Sequence, residues 1–303
     1  MRVERGPVSL VVSAWLGGLP QPQACLEAAA SVDAILATIT ASLPVLSRPW
    51  PEGQPPMPAP DADAPAVAAV PFRMWEAAKE TGHPEMTPFC AVAGAVADVL
   101  ADTVFAALCG TAAQPAAPVR VVVSNGGDVA VRLTPGSTCS VGLVPSLAAP
   151  GADAVVTLRA EDAVRGVATS GFGGRGLTQG VADAVTVFAA SGARADALAT
   201  RLGNASRLPA SPRVRVAPAG SLRCPCDIAD LPVTVRVDAL TPEEKETALA
   251  GIRAAAAPLL ASGKLQALRA TVQGRSLWLP DGAPENLFGG FHVRTDSQDR
   301  DRC

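Results

Sequence analysis

Two short apolar runs, residues 119–124 and 129–133, are separated only by Asn125-Gly126-Gly127-Asp128. Each run has the β-branched character of a buried strand, and the two glycines tolerate the positive φ of a tight reversal. This unit commits two neighbouring strands to antiparallel pairing. A second pair, 267–272 and 276–279 around Gln273-Gly274, repeats the device. Further strand patterns lie at 8–15, 140–144, 154–158, 165–170, 184–189, 214–216 and 233–237. Strands joined by tight turns and interleaved with helices predict an α+β fold, with antiparallel sheets and flanking helices, over a doubly wound parallel sheet.

The helical segments carry their own signals. Residues 24–43 place Leu26, Ala30, Val32, Ile35, Ile39 and Leu43 near helical spacing. Residues 71–79 read as a short helix or a strand. A long apolar helix spans 88–109, with Pro88 in its first turn where a missing N–H costs nothing. Ser191 caps a helix over 193–202. Thr241-Pro242-Glu243-Glu244 is a capping box that opens a helix running to about residue 261. Residues 49–65 form a Pro-rich extended loop, and residues 282–303 a polar tail. The expectation is one domain over 1–281, with room for two lobes.

Composition narrows the function classes. Of 303 residues 49% are hydrophobic, enough for a sizeable core. The net charge is −3, and no run of Lys or Arg forms a phosphate-tracking stripe, so nucleic acid is not expected as a partner. The most apolar window, 89–108, contains Asp98 and Asp102 and reads as a buried helix, not a membrane span. The N-terminal region has Glu4 among its basic residues and lacks a cleavage box, so a cytoplasmic protein is expected. The seven cysteines are scattered, and Cys224-Pro-Cys226 is one residue too short for a C-x-x-C pair. With His83 and His292 the only histidines, a His-rich metal site has few candidates.

Three constellations carry chemistry. In Asn125-Gly126-Gly127-Asp128 the backbone can approach a ligand closely, and Asp128 can hold a hydroxyl or amine; an ordinary hairpin turn has the same composition. Thr169-Ser170-Gly171-Phe172-Gly173-Gly174-Arg175-Gly176 offers hydroxyls, backbone N–H groups that can cradle an anion, and a guanidinium. It is neither a Walker loop nor a dinucleotide fingerprint. Asp196 and Thr200, four apart on one helix, put two hard oxygens on one face, as Mg²⁺ prefers; Asp near a helix start and a back-bonded Thr are equally ordinary. On the 88–109 helix Cys90, Gly94, Asp98 and Asp102 form a stripe whose two carboxylates read as a solvated edge or as part of a site.

The order of these motifs resembles the ApbE-like (FAD:protein FMN transferase-like) superfamily, and more closely its bacterial and archaeal branch. The similarity rests on residues 88–98, on Ser124 through Asp128, on Ala168-Thr169-Ser170-Gly171, on residues 184–191 and on Ala195 through Thr200. The branch pattern adds Gly173 through Thr186, Asp227-Ile228-Ala229-Asp230-Leu231 and Val272-Gln273-Gly274. The resemblance implies an α+β fold, a flavin nucleotide (FAD or FMN) as ligand and Mg²⁺ as cofactor. The transferases split FAD and attach FMN to a Thr or Ser of a target protein. Gly126, Gly127 and Asp128 match the turn near the nucleotide, Asp196 and Thr200 the Mg²⁺ ligands, and Asp98 the helix-motif acid.

Two departures stand out. The transferase motif has a Lys where this chain has Ala93, and an H-x-x-D-P-x-T-G segment is absent after Gly171. A small-molecule partner is therefore expected, with three functions open. The first is FMN transfer or FAD hydrolysis. The second is a divergent enzyme for a carboxylated or N-heterocyclic substrate, as in a similar domain of hydroxynicotinate reductases, with Arg175 binding the carboxylate and Asp128, Asp98 or Asp183 handling protons. The third is a non-catalytic flavin carrier or assembly factor. Assembly as a homo-oligomer is compatible with each.

Overall fold

The computed structural model describes residues 1–49, 57–110, 117–147 and 151–281, and the backbone of 291–292. Most of the expected polar tail and part of the Pro-rich loop lie outside the described residues. The chain begins with β1 (Arg2–Arg5), β2 (Val8–Leu16) and β3 (Leu19–Pro20), then α1 (Pro22–Ala29), α2 (Val32–Ala41) and α3 (Leu43–Leu46). Next come α4 (Ala69–Thr81), α5 (Val92–Cys109), β4 (Val119–Asn125), β5 (Asp128–Leu133), β6 (Thr138–Leu143), β7 (Ala154–Arg159), β8 (Gly166–Ser170) and β9 (Ala184–Ala189). The chain continues through α6 (Gly192–Asn204), β10 (Val214–Pro218), β11 (Pro232–Val237), α7 (Pro242–Ala261), β12 (Ala267–Val272), β13 (Arg275–Leu279) and β14 (Phe291–His292).

The fold is α+β, and every strand pairing is antiparallel. One nine-stranded sheet has the order β1-β2-β4-β5-β8-β9-β12-β13, with β3 on β2. A three-stranded sheet, β14-β7-β6, and a two-stranded arm, β10-β11, complete the strands. The glycine turn behaves as its sequence demands: Asn125 pairs with Asp128, and Gly126 and Gly127 take φ of 66° and 118°. The alternating burial of β4 lays Val119, Val121 and Val123 into the core beneath α5.

The helices differ from their expected bounds for local reasons. The segment expected as one helix over 24–43 is divided. Ser31 Oγ donates to the Ala28 carbonyl (2.6 Å) and Ser42 Oγ to the Thr38 carbonyl (3.0 Å), closing turns where the helix would continue. The ambiguous 71–79 segment is helix, with Pro71 in its first turn and Gly82 at φ 64° ending it. Both predicted caps form: Ser191 Oγ accepts from the Arg194 N–H, and Thr241 and Glu244 make the reciprocal capping box.

Residues Pro22–Ala41 and Pro88–Cys109 are each apolar and long enough to cross a membrane, with mean hydropathy 1.5 and 1.8. In this fold α5 is a core helix. Ala95, Val96, Val99, Leu100 and Val104 are buried with β2, β4, α1 and α4. A second cluster joins α6 and α7 to β9, β12 and β13. The nine-stranded sheet runs through both, and α5 meets α6 at their seam.

Candidate functional site

Glycine sets the seam between α5 and α6. A Cβ on Gly94 would lie 2.1 Å from the Gly192 carbonyl oxygen, so only glycine permits this approach. Close packing brings two carboxylates to helix starts. Asp98 of α5 is fully buried, and its Oδ1 and Oδ2 accept from the Gly192 and Ala193 N–H groups, each at 2.9 Å. In return Asp196 of α6 accepts from the Gly94 N–H at 2.9 Å, in the first turn of α5. Both satisfy first-turn donors that lack a partner within their helix and both complement the helix dipole.

This reciprocal docking aims the Asp196 and Thr200 face of α6 into a cavity of about 380 Å³. The hairpin turn contributes Gly126 and Asp128, the end of β8 contributes Thr169 and Ser170, and the loop beyond it contributes Gly171, Gly174 and Arg175. The expected constellations therefore converge. Asp128 Oδ1 accepts from the Thr169 N–H (3.2 Å). Burial pushes the Asp128 carboxyl up to about 7, opposed by that one hydrogen bond. Burial foremost, and then the charge of Asp128, hold Asp196 well above the ordinary carboxylate range despite the α5 N–H groups. Neither carboxylate has an ion-pair partner among the described residues.

Thr200 is distinguished by what it does not do. Thr38, Thr40, Thr103 and Thr247 each bond back to a carbonyl four residues earlier. The Thr200 hydroxyl makes no such bond among the described residues and lines the cavity. At the mouth, Arg175 and Arg223 are exposed and form no ion pair among the described residues. An acidic floor thus lies below two uncommitted guanidinium groups.

The remaining expected site residues have structural partners. Asn125 is buried: its Oδ1 accepts from the Ser9 N–H and its Nδ2 donates to the Ala93 carbonyl, both at 3.3 Å. Gly127 is an exposed turn residue outside the lining. Asp98 also lies outside the lining; the same Oδ1 accepts from Arg132 Nη2 (3.0 Å), and Arg132 Nε reaches Asp102 (2.6 Å). The reading of both α5 carboxylates as a solvated edge thus fails for Asp98, because the α6 start seals it. Asp183 accepts from the Gln273 N–H (2.5 Å) and ties the Gly171–Gly176 loop to the β12–β13 turn, away from the lining. Burial raises its carboxyl, opposed by that bond and by Lys245.

The Gly-rich loop is less of an anion cradle than its composition suggests. The N–H groups of Phe172, Gly173 and Gly174 bond to the carbonyls of Ala182, Asp183 and Gly171. The Gly173 N–H thus faces the protein, and the loop presents Gly171, Arg175 and Gly176 to the cavity. Sequence reasoning did not single out Thr87, Gln179, Asn204, Arg223 or Cys226 for the site, yet all line the cavity. Asn204 had a signal, because it continues the four-residue step of Asp196 and Thr200. Asp227 entered only as part of a pattern; its carboxylate accepts from the Thr87 hydroxyl at the cavity wall. Cys90 also lines it, and burial with Asp196 and Asp227 nearby keeps its thiol protonated.

A family model described as AbpE bacteria matches residues 1–278. The chain belongs to this family. The match takes in every residue that lines the cavity. No curated protein matches the chain.

Donor chemistry decides whether the AbpE-family cavity suits a metal. Among the described residues no group of three or more His, Cys, Asp and Glu side chains is placed to hold an ion. A fully protein-ligated metal is therefore a poor fit. Mg²⁺ asks for less: it keeps several waters and takes one or two carboxylates with substrate oxygens. Asp128, Asp196 and the free Thr200 hydroxyl meet that demand. Two carboxylates raised by burial with no cationic partner are where a divalent ion relieves the most strain.

Proposed function

We propose that the cavity binds a flavin nucleotide, or a similar small anionic ligand, with Mg²⁺ held by Asp128, Asp196 and Thr200, and acts on its phosphate linkage. The observation that carries this reading is the uncompensated Asp128–Asp196 pair beneath Arg175 and Arg223. The floor alone offers an anionic ligand no positive charge, since burial holds both carboxyls above the ordinary range. With a divalent ion between them, floor and ligand attract, and the two guanidinium groups can take the outer phosphate oxygens. A bound Mg²⁺ would supply charge neutralisation at the phosphoryl oxygens. The chain's own residues orient the ligand: Asp128 and Asp196 fix the inner end, and Arg175 and Arg223 fix the mouth. The resemblance to FMN transferases supplies the reaction class. FAD loses AMP, and FMN passes either to a protein hydroxyl, whose proton leaves, or to water.

A second reading is favoured by one observation. Ala93 removes the cation that the transferase motif places beside the pyrophosphate, while Arg175 remains free to bind a carboxylate. On that reading the substrate is a carboxylated N-heterocycle and no phosphate bond is cleaved. Incubation of the purified protein with FAD, with and without MgCl₂, separates the two when AMP and FMN are followed by chromatography and FAD binding by calorimetry. Mg²⁺-dependent FAD binding with AMP release supports the first reading. Absence of both, with saturable binding of a pyridine carboxylate, transfers support to the second.

A further inference from the structure

Gln179 is 5% exposed and lines the cavity, yet its Oε1 has no hydrogen-bond partner among the described residues. Protein interiors avoid this arrangement, and a native exception calls for an explanation. The side chain is not needed to hold its own segment. The Gln179 N–H donates to Asn204 Oδ1 (2.9 Å), the Thr178 hydroxyl donates to the same oxygen (3.2 Å), and the Gly180 N–H donates to Thr178 Oγ1 (3.1 Å). The backbone of Gln179 is therefore held by its neighbours, while its carboxamide makes no hydrogen bond among the described residues.

Asn204 completes the picture. Its Oδ1 is occupied by those two donors, while its Nδ2 donates to no partner among the described residues, and the residue lines the cavity. Asp196, Thr200 and Asn204 follow one another at four-residue steps along α6. At about 1.5 Å per residue, Asn204 stands about 12 Å along the helix from Asp196. The cavity thus has a carboxylate end and a carboxamide end. Met86, Phe89, Ile228 and Leu231 give it apolar walls suited to the faces of a flat ring.

We infer that Gln179 and Asn204 recognise the imide or lactam edge of a heteroaromatic ring whose anionic substituent points toward Asp128 and Asp196. A Gln carboxamide carries a donor and an acceptor side by side and pairs in register with an adjacent N–H and C=O. The Asn204 Nδ2–H₂ can only donate and suits the second carbonyl that an imide carries beyond its N–H. The inference rests on the proposed anion-binding function and adds to it the residues that read the ring edge. It also assigns Gln179 a specificity role that fold stability does not require.

Isothermal titration with MgCl₂ and four probes tests this: FMN, FMN methylated at the ring imide nitrogen, UMP and inorganic pyrophosphate. Wild-type protein is expected to bind FMN at least about tenfold more tightly than the methylated form, since a blocked N–H leaves the Gln179 carboxamide unpaired. Gln179→Leu keeps the bulk. It is expected to lose that discrimination, to bind pyrophosphate as before, and to melt no lower than wild type because it removes an unpaired buried amide. Equal wild-type affinity for FMN and its methylated form, or pyrophosphate binding without binding of FMN or UMP, overturns the inference and leaves the anion site standing. Absence of pyrophosphate and FMN binding by the wild type overturns both. A Gln179→Leu protein that melts well below wild type shows a structural amide and also overturns it.

Discussion

Asp128→Asn offers the sharpest test of the acidic floor, because it removes a charge while keeping the oxygen that accepts from the Thr169 N–H. The Asp128 carboxyl stands at about 7, against an ordinary 3.8. Between those values the folded protein holds a proton that the unfolded chain releases, so this group lowers wild-type stability as pH rises from about 4 to about 7. The full difference corresponds to about 4 kcal/mol. Asp128 is only half-buried and faces a cavity open to solvent, so about 1–2 kcal/mol is the expected gain for Asp128→Asn at pH 8. For a chain of this size that is roughly 2–8 °C in melting temperature. At pH 4, where the folded wild-type carboxyl is already protonated, the two proteins should melt together. Thermal unfolding from pH 4 to 8, repeated with MgCl₂, reads both effects. Added Mg²⁺ should raise the wild-type midpoint at pH 8 and leave the variant unmoved. A variant less stable than wild type at pH 8, a gain independent of pH, or an equal Mg²⁺ response refutes the reasoning.

Thr200→Val should leave stability within about 0.5 kcal/mol, because the hydroxyl has no partner to lose, while weakening Mg²⁺ binding measured by calorimetry. Asp98→Ala should destabilise by about 3–5 kcal/mol in urea unfolding, since it uncaps two buried α6 N–H groups and leaves half-buried Arg132 with Asp102 as its remaining acidic partner. Gly94→Ala should cost more than about 3 kcal/mol and weaken Mg²⁺ binding with it, because the new methyl meets the Gly192 backbone and must push α6, with Asp196, away from α5. Retention of wild-type stability in either of these last two would show that the α5–α6 contact does not position the site.

Features governed by neighbouring residues were legible in the sequence. The Asn125–Asp128 turn, the Ser191 cap and the Thr241 capping box are chemistry within four residues, and each formed as read. The division of 24–43 turned on a local competition that spacing does not register, in which serine hydroxyls satisfy carbonyls at the two breaks. The site divides along the same line. Asp196 and Thr200 could be paired from their spacing, but not with Asp128, because only the docking of α6 on Gly94 and Asp98 brings them to the hairpin. Asp98 looked like an edge residue because the stripe on α5 does not reveal what packs over it. Arg223 sits in a segment without periodicity, and Gln179 entered only within the Gly173–Thr186 pattern, which does not say which of its residues faces a cavity. The Gly-rich loop misled in part: its composition suggested exposed donors throughout, and the fold uses those of Phe172, Gly173 and Gly174 internally.

Ala93 connects the departure seen in the sequence to the electrostatics of the cavity. Its N–H is directed at Asp196 and its methyl lines the wall. A lysine there, as in the transferase motif, would set an ammonium beside the Asp128–Asp196 pair and hold both carboxyls low. Alanine leaves the pair without a fixed cation, so burial dominates both groups, with the charge of Asp128 adding to it at Asp196. The loss therefore does not make the site less electrostatic; it moves the cation from the protein to whatever binds. On the proposed function, a divalent ion must displace the protons that burial keeps on these carboxyls, so ligand and ion bind interdependently, each raising the affinity of the other by the same factor. Arg175 and Arg223, at the rim instead of the floor, cannot substitute for the missing ammonium, because solvent screens them from the buried pair. On the proposed function, Ala93 therefore leaves the positive charge at the inner end of the cavity to be supplied by the bound ion.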